Sequence, residues 1–170
     1  QWFQLYSFLY NEDPVYAVMA ATMLQTFLRI GGVMQLPLGP TKSNPTWKRV
    51  GQMELSADAY QIFNYKKKGQ KKEQCLVNLS TMQLINEEYL EPHYADRYEL
   101  YITKYLSSKH AAKKGKREDR NILWINKHGT PVSKRELQSA FEKASEALGF
   151  DVTPHSMRHT GATQVLWFYA

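Results

Sequence analysis

Apolar residues recur at helical spacing early in the chain. Val15, Val18, Met19, Met23 and Phe27, with Leu24 and Leu28 beside them, make a wide stripe. Asp13-Pro14 predicts the start of this helix, an N-cap carboxylate followed by a proline at the first helical position. Gly31-Gly32 predicts its stop, which places Arg29 in the last turn, where a cation meets the negative end of the helix dipole. The period then shortens. Trp47 to Leu55, Tyr60 to Tyr65 and Gln74 to Leu79 are short, partly alternating segments that predict strands. Between the last two lies the charged turn Lys66-Lys67-Lys68-Gly69-Gln70-Lys71-Lys72, so a small antiparallel sheet with a lysine-studded hairpin is expected.

From Thr81 to about Lys109 the pattern is helical again, with a break expected near Pro92. Lys113-Lys114-Gly115-Lys116-Arg117 has the composition of a solvated loop. Asn121 to Asn126 is a short apolar run that ends in a turn at His128-Gly129. Ser133 and Glu136 have capping-box spacing and open a helix with Leu137, Phe141, Ala144 and Leu148 on one face and Gly149 at its end. Thr153-Pro154 starts a last helix in the same way as Asp13-Pro14.

Composition narrows the class. A length of 170 residues suits one domain, and 43% hydrophobic residues without a membrane-length apolar run indicate a globular chain with no membrane segment. Gln1-Trp2-Phe3 has neither an initiator methionine nor a signal pattern, as expected of part of a longer protein. The single cysteine, Cys75, excludes an internal disulfide and a multi-cysteine zinc site, and suits a reducing compartment. The net charge of +6 is compatible with nucleic-acid binding, through displacement of counterions from phosphates, without requiring it.

The chemistry concentrates at Thr153-Pro154-His155-Ser156-Met157-Arg158-His159-Thr160. If Thr153 caps the helix, His155 and Arg158 lie three residues apart and project from nearly the same side. Free backbone N–H groups at that end already favour an anion, and a guanidinium with an imidazole adds a phosphate site. On spacing alone an ordinary surface turn with a chance histidine and arginine is the better reading. Arg29 alone is better read as a helix-end arginine that satisfies carbonyls or a surface carboxylate, and most of the lysines as a solvated turn.

Pro154 to Thr163 closely resembles the second box of the tyrosine recombinases (phage integrase family), built around His-x-x-Arg-His-Thr. Thr26-Phe27-Leu28-Arg29-Ile30-Gly31 resembles the first box, commonly Thr-Gly-Leu-Arg-Ile, and the lysine hairpin resembles the family's hairpin, which carries a catalytic lysine. Residues 121–149 also match the family's approach to the second box. The resemblance implies an α+β, mainly helical fold: a tyrosine-recombinase catalytic core with a small antiparallel sheet. It implies site-specific cleavage and rejoining of double-stranded DNA through a 3′-phosphotyrosyl intermediate, with no cofactor and no metal, in a tetramer on DNA. A cytoplasmic, DNA-associated protein of bacterial or phage origin is expected.

The residues implied are Arg29 and Arg158 on the non-bridging oxygens, His155 on the phosphate or in proton transfer, and a hairpin lysine as general acid. Lys68, just before Gly69, is the first choice and Lys71 its competitor; Lys66, Lys67, Lys71 and Lys72 would contact DNA, and His159 would support the site. Two departures stand out. Gly31-Gly32 occupies the place of an acidic residue usual after the first-box arginine. Tyr169 lies too close to Arg158 to match the family's nucleophile, so residues 1–170 read as a single partial catalytic domain without the N-terminal core-binding domain and the C-terminal tyrosine segment. A non-catalytic DNA-binding relative and a type IB topoisomerase are the alternatives.

Overall fold

The computed structural model of the chain describes residues 1–49, 53, 59–108 and 120–157. Two helices at the start pack on each other, α1 (Trp2–Glu12) and α2 (Pro14–Thr26). The first was not anticipated. Its apolar residues run almost continuously and no side chain caps its start, so the usual entry signal is missing even though Leu5 and Leu9 bury one face. Asp13 separates the two helices: its extended backbone ends α1, and its carboxylate accepts the Val15 N–H at 3.1 Å to cap α2. Helix α2 is buried on nearly every side, from Val15 through Met23, which makes it the axis of the core.

The predicted stop at Gly31-Gly32 is corrected by the structure. Helix α2 ends at Thr26, where Phe27 takes a left-handed backbone with φ 61° and its N–H bonds back to the Met23 carbonyl. Arg29 therefore does not occupy the last turn of α2. It is the extended residue that precedes a short helix, α3 (Ile30–Val33), in which both glycines lie.

Strands β1 (Tyr60–Lys66) and β2 (Lys72–Asn78) pair antiparallel in a register that runs from Tyr60↔Asn78 to Lys66↔Lys72. Phe63 and Val77 face the core; Ile62 and Leu76, cross-strand partners, face outward. The expected strand from Trp47 to Leu55 is not formed at residues 47–49, and the rest of it, Met53 apart, lies outside the described residues. Instead the Gln61 side chain pairs with Lys48, accepting its N–H at 2.8 Å and donating to its carbonyl at 3.3 Å.

The break expected near Pro92 does not occur. Helix α4 (Leu79–Ile85) continues through Asn86–Tyr94, α5 (Ala95–Leu100) and Tyr101–Tyr105 with helical backbone at every junction. The Asn86–Tyr94 segment is wound with i→i+5 hydrogen bonds, and this wider turn accommodates a proline that lacks an N–H. The run 121–126 is extended but makes only isolated bridges, Pro37↔Ile122 and Ile125↔Pro131. Helix α6 (Lys134–Leu148) follows as predicted, with the Ser133–Glu136 capping box and Gly149 left-handed at φ 74°.

A buried ion pair joins these parts. Arg97 of α5 meets Asp13 at 2.8 Å and donates to the Ile125 carbonyl at 3.0 Å, with its guanidinium over the Tyr89 ring. The other Asp13 oxygen accepts the Lys127 N–H at 2.8 Å. One carboxylate thus fixes the α1–α2 junction, α5 and the 125–127 segment together.

Candidate functional site

Arg29 is exposed on the turn between α2 and α3, and its carbonyl accepts the Gly32 and Val33 N–H groups at 2.9 and 3.0 Å. The segment around it is pinned from inside. Leu28 is buried, the Trp124 indole N–H donates to the Val33 carbonyl at 2.8 Å, and a Cβ on Gly32 would lie 2.9 Å from the Leu28 side chain and 3.4 Å from the Tyr65 ring. Packing on Leu28 and Tyr65 favours glycine at position 32, whereas a Cβ on Gly31 would meet nothing within 4 Å. Among the described residues the Arg29 guanidinium has no carboxylate partner. It stands toward solvent, where a phosphate oxygen can reach it.

The lysine hairpin closes just beyond this turn. Lys67 N–H donates to the Lys71 carbonyl at 2.7 Å, and Gln70 N–H donates to the Lys67 carbonyl at 3.0 Å. Gly69 at φ 86° and Gln70 at φ 64° reverse the chain, so Lys68 sits at the tip. Lys66, Lys67, Lys68, Lys71 and Lys72 are all exposed. Lys67 is distinguished from the others by an ion pair with Glu73 at 2.9 Å, which leaves it less charge to offer a phosphate. Lys66 and Lys72 face each other across the strands, a like-charge pair that a polyanion would relieve.

The hairpin root and the arginine turn are brought together by Gln35, whose amide bonds to the backbone of both Lys66 and Gly31. Sequence reasoning missed Gln35, because a lone exposed glutamine carries no motif. Beside it opens a cleft of about 1290 Å³ between residues 34–44, the hairpin and residues 121–124, lined by Lys42, Asn44, Lys66, Lys72 and Trp124 among others. Arg29, Lys68 and His155 do not line this cleft. They lie on open surface, an arrangement suited to a large substrate rather than to an enclosed small molecule.

His155 is exposed in the helical turn at 154–157. Thr153 caps that turn as expected, its hydroxyl accepting the Ser156 N–H at 3.2 Å while Ser156 Oγ accepts the Thr153 N–H at 3.1 Å. Met157 and Val152 are buried, and Ser145 Oγ bonds both polar groups of the Val152 backbone at 2.8 and 2.9 Å. Core anchoring on one side therefore presents His155 on the other. Arg158, His159, Tyr169 and the Lys113–Arg117 loop lie outside the described residues.

The sequence profile of the phage integrase family matches residues 3–166. The chain belongs to this family. The match extends from α1 past the His155–Arg158 box and so covers nearly the whole chain, including both arginine boxes and the lysine hairpin. The helical core with its small antiparallel sheet agrees with an α+β integrase core, and DNA recombination and integration, by tyrosine recombinases, are the work of the family. Comparison with curated proteins gave no match. Among the described residues no helix is long and apolar enough to cross a membrane.

Proposed function

We propose that this chain is the phosphate-activating part of a site-specific recombinase that cleaves and rejoins double-stranded DNA through a 3′-phosphotyrosyl intermediate. The observation that carries this reading is that Gln35 joins the turn of the exposed Arg29 to a lysine hairpin, within a family match over residues 3–166. A tyrosine oxygen attacks the scissile phosphorus, its proton passing to His155 or to water, and displaces the 5′-oxygen of the next nucleotide, which takes a proton from a hairpin lysine and departs as a 5′-hydroxyl. Rejoining runs in reverse: a partner strand's 5′-hydroxyl gives its proton to the lysine and attacks the phosphotyrosine, and the tyrosine leaves and regains its own proton. Bond energy is kept in the ester, so the scheme requires no nucleotide or metal.

Arg29 and Arg158 stabilise charge on the non-bridging oxygens, where a planar guanidinium gives paired hydrogen bonds at any physiological pH. His155 hydrogen-bonds the phosphate. Lys68, at the hairpin tip, is the general acid, with Lys71 as competitor; Lys66 and Lys72, with lesser parts for Lys67 and Lys71, hold the DNA backbone. The exchange of two duplexes calls for a tetramer on DNA, in the cytoplasm of a bacterial host. Tyr169 is assigned no role as nucleophile.

The test uses full-length protein and a target duplex recovered by binding selection from a random-sequence pool. Arg29→Lys keeps the charge but loses the paired geometry, so cleavage is expected to fall by about 100-fold or more while duplex affinity changes little. Equal losses in cleavage and binding would contradict a transition-state role for Arg29.

A further inference from the structure

Two carboxamides imitate a neighbouring strand along the outer edge of β1. Asn44 Oδ1 accepts the Asn64 N–H at 2.7 Å, and its Nδ2 donates to the Asn64 carbonyl at 3.0 Å. Two residues further on, Gln35 Oε1 accepts the Lys66 N–H at 3.0 Å, and its Nε2 donates to the Lys66 carbonyl at 2.8 Å. A carboxamide sets one acceptor and one donor side by side, so it can replace the missing strand at an edge. Gln35 also does what Asn44 does not: its second Nε2 proton goes to the Gly31 carbonyl at 3.0 Å. Gly31 is two residues after Arg29, and Lys66 is two residues before Lys68. One side chain therefore spans the arginine turn and the lysine hairpin, at the point where α3 already packs on Tyr65.

This position has a consequence for proton transfer. A two-stranded hairpin has little rigidity of its own. The loop beyond Lys66 is exposed throughout, and Lys68 adds a long flexible stem. The distance between its ammonium and a phosphate held by Arg29 depends on how the hairpin root is registered against the arginine turn. Gln35 bonds that root directly to the turn. Its three hydrogen bonds are solvent-exposed, so they contribute modestly to global stability, whereas a displacement near 1 Å is costly for a reaction that needs aligned groups.

We propose that Gln35 is a positioning residue that registers the hairpin lysine against the Arg29 turn for protonation of the departing 5′-oxygen. The inference rests on the recombinase reading and on a hairpin lysine as the general acid. Gln35 touches neither DNA nor the reacting atoms in this role; it acts through the Lys66 backbone.

The experiment compares two substrates in single-turnover cleavage by the full-length protein: the ordinary duplex, and one whose scissile 5′-oxygen is replaced by sulfur. A thiolate leaves without being protonated, so a defect confined to the acid disappears on the sulfur substrate. Gln35→Met, similar in shape but unable to make these bonds, is expected to slow cleavage of the oxygen substrate about 10-fold or more, with near-normal rates on the sulfur substrate and unchanged duplex affinity. Gln35→Asn, one methylene short of both backbones, serves as the second variant and should behave in the same way. Lys68→Ala and Lys71→Ala supply the reference: one of them should show a larger loss, also restored by sulfur. If a lysine variant is restored and the Gln35 variants are not, or if the Gln35 variants cleave the oxygen substrate at the normal rate, the positioning role is overturned. If neither lysine variant is restored, the general-acid reading fails, and this inference with it.

Discussion

Phe27 and Gly32 show how the neighbourhood of Arg29 is shaped by single positions. The common form of the first box has glycine where Phe27 stands, and the backbone there is left-handed at φ 61°. A phenylalanine is strained in this conformation, which is held by the buried Leu28 and the bond of the Phe27 N–H to the Met23 carbonyl at the end of α2. At Gly32 a side chain would press on Leu28 and Tyr65, which must shift to admit it. Arg29 was legible because its motif surrounds it; its departure from the end of α2 was not, since a left-handed phenylalanine has no sequence signal. Cys75, across the strands from Phe63, gives a residue-scale prediction. Burial pushes its thiol up to about 11, so at pH 8 little thiolate forms. Alkylation by iodoacetamide should be at least about 10-fold slower than for free cysteine and should accelerate on unfolding. Reaction at the free-cysteine rate in the folded protein would contradict this packing of β2.

At the level of elements, caps were the most legible feature. Asp13-Pro14, Ser133–Glu136 with Gly149, and Thr153-Pro154 all act as their spacing predicts, because capping is local and needs no tertiary information. Pro92 misled for the converse reason. The i→i+5 winding that accommodates it is held by packing, with Tyr89 in the core bonding the Leu123 carbonyl at 2.7 Å and Tyr94 bonding the Ile122 carbonyl. Such partners are remote in sequence. The Asp13–Arg97 pair is remote in the same sense and was not foreseen. Replacing Arg97 by methionine leaves the Asp13 carboxylate buried with only backbone N–H partners, which should destabilise the fold by about 3–5 kcal/mol, since a buried charge without its counter-ion is costly. Urea denaturation measures this directly. A change below about 1 kcal/mol would show that the pair does not organise the junction of α1, α2 and α5.

For the molecule as a whole, the order of the boxes revealed the family, while geometry supplied the link between the first box and the lysine hairpin. Arg29 and the hairpin lysines are 39 positions apart between Arg29 and Lys68 in sequence, yet Gln35 links their backbones. His155 reaches its exposed position because Met157 and Val152 anchor the opposite side of its turn. The Gln35 link leaves no motif, because it depends on backbone carbonyl and N–H groups that any residue could supply. The central claim is that these side chains activate a phosphate for covalent capture. It is tested most directly by incubating the full-length protein with a nicked suicide duplex, from which the cleaved end diffuses away, and resolving protein–DNA adducts under denaturing conditions. A covalent adduct is predicted for the unaltered protein, and Arg29→Ala and Arg158→Ala should abolish it while still binding the duplex. A protein that binds the duplex and never forms the adduct, or one whose adduct persists undiminished in both variants, would contradict the account.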